Sequence, residues 1–357
     1  MLKALSLQYF RSYTSLTIEF DSNLIVIAGP NAVGKTNLIE SIFVLATTKS
    51  FRGSDAELIQ YTKPYYSLQA QYDKDRIDMH YTTLLSDKPT VHKLAKLNGK
   101  RRPLSSVVGL SPAVLFEPND MNLLTGPPSQ RRKYLDVVLS QTDNIYLEQL
   151  RNYKKLITQR NSLLMQARHQ AKQSIADHLF VYDVQLVEPA EYITQTRLKF
   201  LTSIVKTVQS KYIILADKES RRPKTFYLPN LDPAANTLSQ YANSHIRDQA
   251  AAHTLVGPHR DDFELKLIEK KRQVAASRGE MRSLLLALKL AELEYMEEQL
   301  QKEPILLLDD VFSELDASRR KHLIKAINSH QTFITTTEAP QTELKDYQLI
   351  DLSGAKT

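Results

Sequence analysis

Residues 2–9 and 15–20 alternate apolar and polar positions, which predicts two paired strands joined by the turn Arg11-Ser12-Tyr13-Thr14. Residues 23–28, NLIVIA, form an unbroken apolar run of the kind buried on both faces of a parallel sheet. Gly29-Pro30-Asn31 breaks that run. The spacing of Leu38, Ile39, Ile42, Phe43 and Leu45 then predicts a helix over 34–46. Further strands are expected at 66–72 and 76–84, with Asn98-Gly99 as a hairpin-type turn.

The period becomes helical over 129–139, again from 145 to about 179, and from 189 to 210. Strand character is expected at 212–215 and 263–268, and an amphipathic helix over 278–300. The pure apolar run 305–308 ends in Asp309-Asp310. A helix near 318–328 and a strand at 332–335 follow. The outline is an α/β unit interrupted by a helical segment, with boundaries at Gly126-Pro127-Pro128 and just before Gly257-Pro258. Residues 1–128 and 254–357 are therefore expected to build one discontinuous domain, and 129–253 a basic, mostly helical lobe.

Composition narrows the choice of function. With 357 residues, 42% hydrophobic and 24% charged, the chain suits a globular protein of two or three domains. It has no cysteine, which excludes disulfides, thiolate metal sites and a cysteine nucleophile, and makes a reducing cytoplasm the expected compartment. No apolar run approaches the ~20 residues that cross a bilayer, and the first ten residues lack a signal-peptide pattern. The net charge of +7 is unevenly placed. Residues 127–224 hold 17 Lys and Arg against 9 Asp and Glu, so this segment carries the whole excess. Such concentration fits a polyanionic partner, nucleic acid first, or a solvated helical face.

Gly29-Pro30-Asn31-Ala32-Val33-Gly34-Lys35-Thr36 matches G-x-x-x-x-G-K-[ST] between an expected buried strand and an expected helix. Glycines let the loop turn its backbone N–H groups inward as a phosphate nest at the helix N-terminus. Lys35 adds charge for the β- and γ-phosphates, and the Thr36 hydroxyl suits Mg²⁺. Asp309, at the end of a buried strand, suits the second Mg²⁺-holding position. Strand alternation turns Asp310 the other way, where it could act as general base toward an attacking water. A polar strand end capping the next helix is the plainer alternative.

Ser277-Arg278-Gly279-Glu280 opens the long helix, and Ser313-Glu314-Leu315-Asp316 follows the Asp-Asp pair. In order and spacing these are similar to the signature and dimer-seam loop of ABC-type ATPases. Ser277 and Glu280 are also an S-x-x-E capping box, which by itself explains both residues. Arg131-Arg132-Lys133 could contact DNA phosphates or be solvated. His259-Arg260-Asp261-Asp262 suits a polar loop beneath the nucleotide better than a metal cluster. Asn119 or Asp120 could sense the γ-phosphate.

The blocks LQYFRSY (7–13), GPNAVGKTNLIESIF (29–43), SFR (50–52), FEPNDMNLLTGPPSQRRKYLD (116–136), TLVGPHRDDFEL (254–265), SRGEMRSLLLALKLAELEY (277–295) and LLLDDVFSELD (306–316) together resemble the RecF family of bacterial recombination and replication-repair ATPases. The resemblance implies an α/β ABC-type ATPase head, combining a P-loop parallel sheet with antiparallel strands and an inserted helical lobe. It implies ATP with Mg²⁺ as cofactors, Arg11 near the nucleotide, and a homodimer in which Ser277, Arg278 and Gly279 meet ATP held by the other subunit. It also implies a weak DNA-stimulated ATPase that binds duplex or junction DNA, works with RecO and RecR proteins in loading RecA at gaps, and supports the SOS response. Two departures stand out. Glu280 occupies the signature's usual glutamine position, and Thr335-Thr336-Thr337 stands where many ABC ATPases carry a switch histidine. An ABC transporter subunit, a structural chromosome protein with the same head, and a small-molecule P-loop kinase are the rival readings. The first needs no basic insertion, the second needs a long coiled coil, and the third has no use for Ser277 or Asp316.

Overall fold

The computed structural model describes residues 1–83, 92–167, 175–216, 220–312, 317–327, 329–337, 344 and 346–353. The chain divides into two compact units, one of residues 1–120 with 288–357 and one of residues 121–287.

The first unit holds two sheets. Strands β1 (Leu2–Phe10) and β2 (Tyr13–Glu19) pair antiparallel as their alternation requires. They continue through β4 (Tyr65–Tyr72), β5 (Arg76–Thr82), β6 (His92–Leu97) and β7 (Lys100–Arg102) in the order β2-β1-β4-β5-β6-β7. The second sheet is parallel. It is built from β3 (Leu24–Ala28), β8 (Ala113–Phe116), β12 (Ile305–Leu308), β13 (Thr332–Thr336) and β14 (Gln348–Asp351), ordered β14-β3-β13-β12-β8. Two of its inner strands, β3 and β12, are apolar throughout because both faces are covered; Ile25, Val26, Ile27, Leu306, Leu307 and Leu308 are fully buried. Helix α1 (Lys35–Thr47) follows β3, and its Leu38, Ile39, Ile42 and Leu45 are buried as their spacing predicts. Gln331 joins the sheets, accepting from Leu2 N at 2.7 Å and donating to Leu2 O at 2.8 Å. Phe20 packs edge-on against Phe333. Helix α8 (Ala317–Ile327) precedes β13.

The second unit begins with a single turn, α2 (Asn122–Thr125), followed by α3 (Pro128–Thr142), α4 (Asn144–Ala167), α5 (Ala176–Ala216) and α6 (Thr237–Ala251). A three-stranded antiparallel sheet accompanies them, ordered β11-β10-β9 from β9 (Arg222–Leu228), β10 (Asp262–Glu269) and β11 (Arg272–Val274). Helix α7 (Arg278–Leu300) carries residues of both units. Two buried arginines organise the interior here. Arg160 donates to Asp183 at 3.0 Å and to Asp248 at 2.7 Å, and Arg197 reaches Asp136 at 2.9 Å and Asp261 at 3.0 Å. Such pairs need further hydrogen bonds in a low dielectric, which Thr254 supplies to Arg160 and Tyr146 to Arg197, while Arg160 Nη2 stays buried without a partner among the described residues.

Three expectations change. The helices expected over 145–179 and 189–210 are instead α4, which ends its described span at Ala167, and α5, which runs from Ala176 through Pro189 to Ala216. Residues 212–215 are not a strand but the last turn of α5; Tyr212 and Leu215 are buried three residues apart while Ile214 is exposed, a helical pattern that overrides the β-propensity of Tyr-Ile-Ile. Residues 254–287, expected with the head, belong to the second unit. The reason is that β10 pairs with β9 along its length and the loop before it is held by Arg131, Arg132 and Arg197.

Candidate nucleotide site

The loop from Gly29 to Gly34 joins β3 to α1 at the carboxyl end of the parallel sheet, where open α/β sheets bind ligands. Gly34 has φ +106, and a Cβ there would meet Ser12 Oγ and Tyr13 Oη at 2.9 Å, so both backbone and space demand glycine. No side chain caps α1, whose first N–H groups stay open to an anion. Lys35 is buried and its Nζ donates to the carbonyls of Gly29 at 2.7 Å and Pro30 at 2.9 Å, folding the ammonium over its own loop.

Strand order brings the acidic strand end to this loop. Because β13 lies between β3 and β12, Thr335 stands beside both. Thr36 donates to Asp309 Oδ1 at 2.9 Å and Thr335 donates to the same oxygen at 2.8 Å. Thr335 Oγ1 accepts in turn from the backbone N–H of Asp310 at 2.9 Å. Asp309 is 6% exposed; burial raises its carboxyl above the usual range, and the two threonine hydroxyls and Arg52 only partly offset this. A hydroxyl and a buried carboxylate this close are the hard oxygen donors that Mg²⁺ prefers, and a cation would relieve the burial of Asp309, so the residues fit that ion. Asp310 is exposed, although strand alternation is not what turns it. Its φ of +53 takes it out of the strand conformation, and the left-handed turn directs it outward.

The turn between β1 and β2 packs on the same loop. Tyr13 donates to Gly34 O at 3.0 Å, and Asn37 Nδ2 donates to Ser12 Oγ at 2.9 Å. Arg11 lies on this turn, with its guanidinium bidentate on Glu40 of α1 at 2.8 and 2.9 Å and a third bond to Glu57 O. Arg52 joins Glu40 at 2.6 Å, and Ser50 donates to it as well. Glu40 has no exposure; burial opposes its ionisation, but Arg11, Arg52 and Ser50 outweigh that and hold its pKa below the usual range. Sequence reasoning singled out Arg11 and missed Glu40. The available signal was a carboxylate among Leu38, Ile39, Ile42 and Phe43, which a buried helix face holds only if it is paired.

In the second unit, Ser277 and Glu280 form the capping box. Glu280 Oε2 accepts from Ser277 N at 2.9 Å and Oγ at 2.8 Å, and Glu280 N reaches back to Ser277 Oγ at 3.3 Å. Arg221 binds the other carboxylate oxygen at 2.8 Å, so Glu280 is neutralised and turned into the cap. Arg278 and Gly279 occupy the first turn of α7.

Arg131 is bidentate on Asp262 at 2.6 and 2.8 Å, and Arg132 donates to Asp261 O at 2.7 Å. The structure thus gives the two guanidinium groups expected to meet DNA internal partners instead, while Lys133 is exposed. Among the described cations of 127–224, Arg131, Arg132, Lys154, Arg160, Arg197 and Arg221 serve internal contacts, so the basic excess is partly structural.

His259 donates from Nε2 to Thr254 O at 3.0 Å and accepts at Nδ1 from Tyr153 at 2.6 Å; burial lowers its pKa to about 4. Both of these partners, Tyr153 and Thr254, lie in the second unit with His259 itself. Among the described residues no group of His, Cys, Asp and Glu could hold a metal by itself. Asp120 forms a buried pair with Lys289 at 3.6 Å, and burial raises its pKa. Asp316 lies outside the described residues.

Residues 1–353 match the family described as RecF/RecN/SMC N terminal domain. The chain is 37% identical over 352 residues to the DNA replication and repair protein RecF of Halalkalibacterium halodurans, covering 94% of this chain and 92% of that one. The chain belongs to the RecF family. RecF of Bacillus cereus is 34% identical over 369 residues, covering 99% and 97%. A solved structure of the recombination mediator protein RecF with ATP, from the RecFOR pathway, superposes with a TM-score of 0.85 at 30% identity, over 99% of this chain and 96% of that one. An SMC head bound to the C-terminal winged-helix domain of ScpA superposes with a TM-score of 0.50 at 14% identity, a likeness of fold. The fold is therefore the ABC/SMC-type head, α/β with a parallel and an antiparallel sheet beside a helical region. No helix among the described residues is long and apolar enough to cross a membrane.

Proposed function

We propose that this RecF-family chain is an ATP-gated DNA-binding protein of replication and repair. The observation that carries the reading is the meeting of Thr36 with Asp309 at 2.9 Å, which joins the phosphate loop to the acidic strand end across 273 residues of sequence. The family membership and the likeness to RecF with ATP support the nucleotide assignment.

In this reading the loop N–H groups and Lys35 bind the triphosphate, with Lys35 leaving its own carbonyls for the phosphates. Thr36 and Asp309 hold Mg²⁺, which when bound offsets the charge on the β- and γ-phosphates. Asp310 accepts the proton of the attacking water. Ser277, Arg278 and Gly279 of one subunit meet the γ-phosphate bound by a second copy, and Asp316 lines that seam. The capping box is compatible with this role, because Arg221 offsets the charge of the Glu280 carboxylate that Ser277 Oγ meets and so lessens its repulsion of an incoming phosphate. Dimer closure on DNA, slow DNA-stimulated hydrolysis as the release step, work in the cytoplasm with RecO and RecR proteins, and help in loading RecA complete the proposal.

The test is molecular mass by light scattering with and without ATP. Wild type is expected to double in mass with ATP, and Lys35→Met and Ser277→Arg to stay monomeric. Asp310→Asn is expected to dimerise and retain DNA without releasing it. A wild-type monomer at saturating ATP refutes the dimer, and normal turnover by Asp310→Asn refutes the base.

A further inference from the structure

The three-stranded sheet of the second unit has one covered face and one open face. Pro223, Phe263 and Leu267 are buried; Gln209 of α5 donates to Pro223 O at 2.8 Å, and Tyr134 of α3 packs on Phe263. Period-two alternation puts Arg222, Lys224, Phe226 and Leu228 of β9 on the other face, with Asp262, Glu264, Lys266 and Ile268 of β10, Asp262 at its far end being held by Arg131. On that face Lys224 stands directly opposite Lys266 in register. Like charges in facing positions destabilise a strand pair. Both ammonium groups lean over the single ring of Phe226, at 5.3 and 5.8 Å, and only Lys266 has an acidic neighbour, Glu264.

The hairpin at the end of this face repeats the anomaly. Glu269 pairs with Arg272, so Lys270 and Lys271 alone form the loop, with φ of +47 and +66. Two positive φ values make a type I′ turn, which Asn-Gly adopts most readily and lysine poorly. The turn thus holds two exposed adjacent cations in a backbone they do not favour, followed by exposed Arg272. Arg222, Lys224, Lys270, Lys271 and Arg272 have no ion pair among the described residues.

We propose that this open sheet face and its Lys270-Lys271 turn bind the phosphate backbone of duplex DNA. The inference rests on the DNA-binding reading above and assigns it a surface. An anion between Lys224 and Lys266 removes their mutual repulsion, and cations two residues apart on one strand repeat at about 6.6 Å, laying out a row along which a phosphate backbone can run. A duplex is the occupant because the Phe226 ring is already covered by two lysines, leaving no open aromatic platform of the kind that unstacked bases use. Backbone contacts of this kind carry no base information.

The test is ATP-dependent binding of the full chain to a fluorescent duplex across a salt series. Lys270→Asn with Lys271→Gly gives the turn its preferred residues, so the thermal midpoint is expected to hold or rise. Losing two phosphate contacts is expected to lower the slope of log K against log salt by about 2 and the affinity roughly fifty-fold at 0.1 M salt. Lys224→Gln with Lys266→Gln is expected to act in the same direction, and Lys270→Arg with Lys271→Arg to retain affinity. Unchanged slopes in both neutralised pairs, beside normal wild-type binding, overturn the proposal while leaving the DNA-binding function standing. Weakening confined to a single-stranded probe also overturns it. A wild type that binds no DNA with ATP sinks the functional reading itself.

Discussion

Glu40→Gln tests whether one buried carboxylate holds the phosphate loop to its surroundings. Glu40 has no exposure and receives Arg11 through two bonds, Arg52 through one and Ser50 through one. The amide keeps the shape and removes the charge, leaving two guanidinium groups with side chains only 21% and 33% exposed beside a neutral group. Breaking a buried pair from one side costs about 3–5 kcal/mol, and the partial water access of both arginines places this case near about 3. With urea m-values of about 1–3 kcal/mol per molar, the unfolding midpoint falls by roughly 1–3 M. Since the chain has no tryptophan, far-UV circular dichroism is the suitable probe. The pH dependence supplies a second handle. A carboxylate with a depressed folded pKa stabilises above its unfolded value and loses that contribution as pH falls through the folded value. The gap between wild type and variant is therefore constant from pH 7 to about 5 and closes below about 4.5. A gap under about 1 kcal/mol at pH 7, or one that does not narrow at all as pH falls below about 4.5, refutes the argument.

Asp309→Asn is expected to leave the thermal midpoint unchanged or slightly raised, since burial already disfavours the charge, while phosphate release from ATP is lost. Thr335→Val removes the donor to Asp309 and the acceptor for Asp310 N–H, and should cost about 1–3 kcal/mol in urea unfolding, with Thr335→Ser largely restoring it. His259, with its pKa lowered to about 4, stays neutral in the fold while the unfolded chain takes up a proton. Stability is thus expected to fall between about pH 6.5 and 4, by up to about 3 kcal/mol, and His259→Gln to flatten that slope; an unchanged slope rejects the assignment.

The phosphate loop and the strand ending in Asp309 were legible because a local motif and an unbroken apolar run each report one element. Their meeting was legible only through the pairing of two such motifs. What escaped depends on distance along the chain. Glu40 is joined to residues 29 and 12 positions away, and nothing local marks them as partners. Arg131 reads as a surface cation until Asp262 is brought to it from 131 residues on. Residues 212–215 misled because side-chain preference was read without the α5 helix they extend, whose packing decides their conformation. The Lys270-Lys271 turn escaped because it lacks the glycine that normally announces such a bend.

Among the described residues, strand β3, which launches the phosphate loop, pairs in the sheet only with β13 and β14. Its neighbours therefore leave the ribosome some 300 residues after it, at residues 332–336 and 348–351. At about 5–20 residues per second the early strand waits roughly 15–60 seconds, an interval in which the intervening helical unit can fold by itself. Nucleotide affinity should accordingly arise only once β13 and β14 have emerged, so that a product truncated before residue 332 has no grip on ATP.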